Sequence, residues 1–234
     1  MIDVIIPIYQ LDKYRKESLK KHIETGANIV AVEQDVSVWN EFNKGWLQNI
    51  GVNMAARGFR QPSDYVAIVD VDVVPWSGYY EGAINWMKYN HLKWCFGWSR
   101  LMYEGKNGTK LERDDWPSPG LQEGGIVIFT RAMWDSMGGA NEHIRELRGC
   151  DNDLALRATY ASGTRSCYPV TLTHRWHPHS PMKKTKWKKN NVGIIDYTLH
   201  HPQEIVDLLK DQARGNTAGP YCKYKSFFEW RTQP

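Results

Sequence analysis

Asp70 and Asp72 stand one residue apart in the run Tyr65 to Trp76, YVAIVDVDVVPW. Val66 to Val69 is apolar and β-rich, the composition of a strand buried on both faces. Two like charges at the end of such a strand repel, and desolvating them is costly unless something compensates. A divalent cation would do so. Hard oxygen ligands suit Mg2+ or Mn2+, and such an ion keeps open positions for substrate phosphates. Pro75 closes the strand, because it cannot donate to a ladder. By itself the pair also fits a strand leaving the core into a polar turn.

Three further groups could share chemistry with it. His174, His177 and His179 follow the β-type run Val170 to Thr173. Imidazole is a competent third ligand for Mn2+, and the spacing leaves the choice among the three open. The second group is Gly149-Cys150-Asp151-Asn152-Asp153, at the start of a predicted helix. Its acids suit the positive end of a helix, worth ~0.3–1 kcal/mol each. One of them aimed into a cleft could instead take a proton from a hydroxyl, as a general base does. The third group is Lys183, Lys184, Lys186, Lys188 and Lys189, with Trp187 among them. It reads as a solvated basic loop, or as one that folds over a diphosphate or an anionic acceptor.

Positioning these groups requires a sheet. Apolar strands are expected at Val4 to Tyr9 and Asn28 to Val32, and again at Val66 to Val69. Helices are expected between them, over Lys13 to His22 and over Trp39 to Ala56. Strand and helix alternating in this way mark a parallel, doubly wound sheet. Ligands of such sheets sit at the carboxyl ends of the strands, where Tyr9, the Glu33-Gln34-Asp35 run and Asp70 to Asp72 fall. Further on, Tyr79 to Asn90 reads as a helix, Trp94 to Trp98 as a strand and Glu104 to Gly120 as a surface loop. Ile126 to Phe129 reads as a strand, and Thr130 can cap a helix that Gly138-Gly139 stops. Helices are also expected over Asp151 to Tyr160 and Pro202 to Asp211. The aromatic tail is expected to pack back on the body. No linker divides the chain, so residues 1–234 are expected to form a single domain.

Composition narrows the class. At 234 residues, 41% hydrophobic and 24% charged, the chain is an ordinary globular protein. Its 11 Trp and 12 Tyr suit a cleft that stacks on rings, and a net charge of +4 does not by itself mean nucleic acid. Cys95, Cys150, Cys167 and Cys222 contain no C-x-x-C pair, so free thiols are expected rather than structural zinc. MIDVIIPIY is too short for a signal segment, and no apolar run has membrane-spanning length.

Taken in order, these features resemble the metal-dependent glycosyltransferases of GT-A fold, above all the β-1,4-galactosyltransferase family and its bacterial and viral relatives. The likeness runs from about Val4 to His179 and rests on four blocks. VIIPIY looks like the first strand of the nucleotide pocket. FNKGWLQNIGVNMA is similar to the family's FNR-A-LLNVGF helix, and DVDVVP to its metal motif DVDLIP. GGIVIFTRAMWDSMGGANEHIRELRGCDNDLALR looks like the family's segment that ends in its W-G-G-E-D-D-D helix start.

The resemblance implies an α/β fold with a mostly parallel central sheet and helices on both faces. It implies inverting transfer of a sugar from a UDP-sugar, with Mn2+ or Mg2+. Asp72 would bind the metal, and Asp70 would sit against the ribose and help the metal site. His174 best fits the histidine ligand, with His177 in reserve. Pro7, Ile8 and Tyr9 would line the uridine pocket, with Phe42 and Lys44 at the uracil side. Lys44 stands where the family has Arg. Gln34 belongs to the same donor pocket by its place at a strand end. Gly124 and Gly125 would let the backbone approach the donor, and Asp151 falls on the catalytic base. The chain departs from the family where a Trp of the acceptor site is missing and Cys150 replaces a Glu that helps hold the donor sugar.

A glycan is the expected acceptor. Two alternatives are transfer to hydroxymethylated bases in DNA and a non-catalytic sugar-nucleotide-binding module. The expected location is the cytoplasm of a bacterial or phage-infected cell.

Overall fold

The computed structural model describes residues 1–34, 42–58, 62–112, 125–144, 149–178, 187–211 and 224–230. The elements run β1 (Ile2–Ile8), α1 (Lys13–Ile23), β2 (Asn28–Gln34), α2 (Lys44–Gly58), β3 (Tyr65–Val69) and β4 (Val73–Val74). Then follow α3 (Tyr79–Tyr89), β5 (Trp94–Phe96), β6 (Arg100–Glu104), β7 (Lys110–Glu112), β8 (Ile126–Thr130) and α4 (Arg131–Ser136). The chain continues through α5 (Cys150–Ser162), β9 (Thr171–His174), α6 (Trp187–His200), α7 (Pro202–Asp211) and β10 (Tyr224–Trp230).

Six strands form the central sheet in the order β10-β2-β1-β3-β8-β5. β1 lies between β2 and β3 and is parallel to both. β8 runs against β3 and β5, and β10 runs against β2, so the sheet is mixed rather than mostly parallel. All seven residues of β1 are buried, as are all seven of β2, as strands covered on both faces require. Alternate side chains serve two cores. Ile5, Val32 and Ile68 pack with Trp46, Leu47 and Ile50 of α2 and Leu154 of α5. Val4, Ile6, Ile8 and Val69 pack on the other face with Leu19 of α1 and Tyr80 and Ile84 of α3.

A second sheet has the order β4-β9-β6-β7. It replaces part of the loop expected over Glu104 to Gly120: β6 and β7 form a hairpin pairing Glu104 with Lys110. Asn107-Gly108 turns it, with Gly108 at φ +75°, the left-handed geometry such a turn needs. The basic stretch also differs from expectation. Trp187 to Lys189 open helix α6, while Lys183 to Lys186 lie outside the described residues. The tail does pack back, as strand β10 along β2.

At the opposite end from the strand tips, Asp3 is fully buried. It accepts from Ser63 N (3.1 Å), Ser63 Oγ (2.8 Å) and Asn28 Nδ2 (3.2 Å), and it pairs with Arg131. This network fastens β1, β2, the approach to β3 and the start of α4 where charge would otherwise be stranded.

His22 of α1 is also fully buried, beneath the turn after β3. Its Nε2 lies 3.3 Å from Val71 O and its Nδ1 3.4 Å from Tyr80 Oη. A carbonyl only accepts, so Nε2 carries the proton and Nδ1 accepts from Tyr80. Burial lowers its pKa from 6.5 to about 4, although the Val71 carbonyl and Asp72 act to raise it. A depressed histidine pKa stabilises the fold fully above the unfolded value and loses that contribution as pH falls. The loss here is on the order of 3 kcal/mol. The melting temperature should therefore fall more steeply between pH 6.5 and about 4 in the wild type than in His22→Gln. Parallel pH profiles for the two proteins would show that His22 does not contribute.

Candidate active site

The turn after β3 is built by backbone and side chain together. Asp70 N donates to Gly125 O at 2.7 Å, and Gly125 N returns a bond to Asp70 Oδ2 at 3.0 Å. The antiparallel register of Val69 with Ile126 sets this exchange. Gly125 has φ +85°, and a Cβ there would lie 2.6 Å from Trp98 Nε1, so the position takes only glycine. Val73 then opens β4 and pairs with His174 of β9. Arg175 N donates to Asp72 O at 2.7 Å. The small second sheet thus delivers the histidines to the aspartates.

A cavity of about 280 Å3 opens at these strand ends. Pro7, Ile8 and Tyr9 line it from β1 and the residue after it, and Asp70, Val71 and Asp72 from the turn. Phe42 and Lys44 enter from the start of α2, Gly149, Asp151 and Asn152 from the start of α5, and His174 and His177 from β9 onward. Tyr9 meets Phe42 edge to face, with ring centroids 5.4 Å apart. Gln34 does not line the cavity. It is fully buried, and its Oε1 accepts from Asn43 N at 2.8 Å, ahead of α2. Gly124 lies outside the described residues, as do Asp35 and His179.

The charges fall into two groups. In the first, Lys44 Nζ lies 2.7 Å from Asp70 Oδ1 and 3.0 and 2.9 Å from the two oxygens of Asp151. Burial acts to lower the lysine pKa, but the charges of Asp151 and Asp70 more than reverse this and raise it. The Lys44 ammonium, expected at the uracil side, is thus committed to two carboxylates.

In the second group, His177 Nε2 lies 2.8 Å and His174 Nε2 3.6 Å from the Asp72 carboxylate. One ligand atom from each of the three residues lies within 4.8 Å of the others. Asp70 is not in this cluster, because Lys44 and Gly125 hold its oxygens. Burial acts to raise the Asp72 pKa, but the His177 hydrogen bond and the charges of His174, His177 and Arg15 hold it below the usual carboxylate range. His177 Nδ1 lies 2.9 Å from Pro178 O, so Nδ1 carries a proton and Nε2 faces Asp72. His174 stacks on Tyr103, with centroids 4.9 Å apart. Two imidazole nitrogens and a carboxylate oxygen suit a first-row divalent ion and leave coordination positions open. The residues present therefore fit a metal, and His174 and His177 both stand close enough to Asp72 to share one.

α5 is aimed by a buried pair. Asp153 and Arg157 are both fully buried, with Arg157 Nη2 at 2.6 Å from Asp153 Oδ2. Arg157 Nη1 also donates to Met137 O at 2.7 Å and Gly139 O at 2.8 Å. The acidic cluster thus divides: Asp153 anchors the helix and Asp151 faces the cavity. Cys150 is buried, and burial pushes its thiol up to about 12, so it stays neutral. Arg15, which lines the cavity, was missed by the sequence reading. Its Nη2 approaches His177 Nδ1 at 3.4 Å, but nothing in the spacing of α1 separates it from the helix's solvated lysines.

No protein-family model and no curated protein matches the chain. Solved structures do. The catalytic domain of Drosophila β1,4-galactosyltransferase 7, in complex with xylobiose, is 17% identical with a TM-score of 0.52. That match covers 82% of this chain and 79% of the other. S. aureus TarS in complex with UDP-GlcNAc is 14% identical with a TM-score of 0.62, covering 92% and 68%. A mutant of the Drosophila enzyme, in complex with manganese, UDP-Gal and xylobiose, is 15% identical with a TM-score of 0.51, covering 81% and 78%. These likenesses show that the chain has the GT-A fold.

Free Mn2+ should raise the melting temperature of the wild type, by linkage worth about 2.7 kcal/mol at ~100 times Kd. The rise should vanish in Asp72→Ala and shrink strongly in His177→Ala. An undiminished rise in Asp72→Ala would place the ion elsewhere.

Proposed function

We propose that this protein is a metal-dependent, inverting glycosyltransferase that moves a sugar from a UDP-sugar to an acceptor hydroxyl. The observation that carries the reading is the meeting of Asp151 with the Asp72, His174 and His177 cluster in one cavity at the strand ends. The GT-A neighbours bound to UDP-GlcNAc and to manganese with UDP-Gal support the donor class. Two imidazoles beside one carboxylate favour Mn2+ over Mg2+, which prefers oxygen throughout.

Asp72, His174 and His177 hold the ion, which when bound supplies Lewis acidity to the donor phosphates. Tyr9 and Phe42, with Pro7 and Ile8, form the wall on which the uridine lies. Asp70, half-open to the cavity, accepts from the ribose, and the Gly125 backbone borders the donor. Asp151 takes the proton of the acceptor hydroxyl. The acceptor oxygen bonds to the anomeric carbon as that carbon's bond to the diphosphate oxygen breaks. The bonding pair leaves with UDP, the proton stays on Asp151, and a single displacement inverts the centre.

The acceptor is a glycan on this reading. The xylobiose bound to the Drosophila neighbour supports a sugar hydroxyl in that place. The chain works as a single domain, residues 1–76 holding the nucleotide and residues 77–182 the acceptor. Among the described residues no helix is long and apolar enough to cross a membrane. We place the enzyme's action in the cytoplasm, where UDP-sugars are made.

The test is UDP release from a panel of UDP-sugars with a glycan acceptor and Mn2+. Turnover should depend on Mn2+, and Asp151→Asn should lower kcat by roughly 10²–10⁴-fold, the share of a general base. Near-normal kcat in Asp151→Asn would remove the base. Metal-dependent UDP binding without turnover would make the protein a binding module. Salt-sensitive retention on duplex DNA would point to a DNA acceptor instead.

A further inference from the structure

Three charges of the cavity meet at one atom. Lys44 Nζ donates to Asp70 Oδ1 at 2.7 Å and to Asp151 Oδ1 and Oδ2 at 3.0 and 2.9 Å. An ammonium has three protons, and each here has an acceptor. Lys44 stands at the start of α2, Asp70 at the end of β3 and Asp151 in the first turn of α5. One side chain therefore ties together the three elements that frame the site.

The arrangement differs from an ordinary buried ion pair. Asp153 and Arg157 are fully enclosed and line no part of the cavity. Asp70 and Asp151 keep 32% and 13% of their side chains open and both face it, whereas Lys44 keeps only 5%. The cation sits nearly buried in the cavity wall and its two acceptors are the more open groups. Without the ammonium, the two carboxylates that share it would repel and turn apart. Each carboxylate oxygen has two lone pairs, so Lys44 can hold Asp151 by both oxygens and still leave it an acceptor site toward the cavity.

We infer that Lys44 is a positioning residue that acts through both carboxylates, aiming Asp151 at the acceptor hydroxyl and Asp70 at the donor. Lys44 thereby links the donor pocket to the base. This role rests on the glycosyltransferase reading above. It predicts a particular split between binding and turnover, because one partner serves the donor and the other serves proton transfer.

The experiment is a double-mutant cycle in kcat, with UDP affinity measured separately by calorimetry. Lys44→Met, which keeps length and removes charge, should lower kcat about 100-fold in the wild-type background and weaken UDP about 10-fold. In the Asp151→Asn background it should leave kcat nearly unchanged while still weakening UDP, because its effect on turnover passes through Asp151. Lys44→Arg should recover a large part of both losses. If Lys44→Met does not fold, Lys44→Gln carries the same comparison. Additive loss of kcat in the double mutant would overturn the inference, as would a lowered melting temperature with kcat and UDP affinity intact. A wild type that turns over no UDP-sugar overturns this role together with the functional reading. Turnover in the wild type with additive losses overturns the role of Lys44 alone.

Discussion

The ammonium of Lys44, bonded to Asp70 and to both oxygens of Asp151, is the contact on which the geometry of this cavity depends. Three carboxylates face one small space at the end of a largely apolar, buried sheet. Such a group holds together only if each charge has a counter-charge nearby. Lys44 answers two of the carboxylates. The third, Asp72, is answered by His174, His177 and the Arg15 guanidinium. This division ties Asp70 to Lys44 and groups Asp72 with the two histidines, although the two aspartates are neighbours on one turn.

Scaffold and site are joined by a few buried polar anchors. Asp153 and Arg157 pin α5 to the carbonyls of Met137 and Gly139, which directs the helix start and Asp151 toward the cavity. Asp3, Ser63 and Arg131 fasten the opposite end of the sheet. His22 supports the Val71 carbonyl from below. Each anchor is a satisfied polar group inside an apolar layer. Satisfied groups of this kind restrict how the layers can shift, and so keep the strand tips in register.

The second sheet does the positioning that the central sheet cannot. The central sheet carries β3 only as far as Val69, and the chain then turns. The Val73–His174 pairing, together with Arg175 N on Asp72 O, brings a distant strand to that turn. The Gly125 backbone bonds to Asp70 brace the turn from its other side.

Much of this could be read from residue order because it depends on local rules. Apolar runs of strand length, a helix-capping threonine at Thr130 and acids at a helix start all declare themselves within a few residues. Asp70, Asp72 and Asp151 stand out because ionised groups beside apolar strands or in a first turn need a reason. By itself, then, the sequence determined the alternation of strand and helix, the end of the sheet where chemistry occurs and the carboxylates that could do it. Only the tertiary structure decided how those carboxylates are shared out. Lys44 reads as an ordinary helix-opening lysine until α2, β3 and α5 converge on it. Asp70 and Asp72 look equivalent until Lys44 and Gly125 claim one and two histidines claim the other. The pairing of β10 with β2 and the meeting of His174 and His177 with Asp72 likewise arise across long sequence separations. Coulombic and hydrogen-bond partners are chosen by distance in space, and no local pattern of residues encodes that distance.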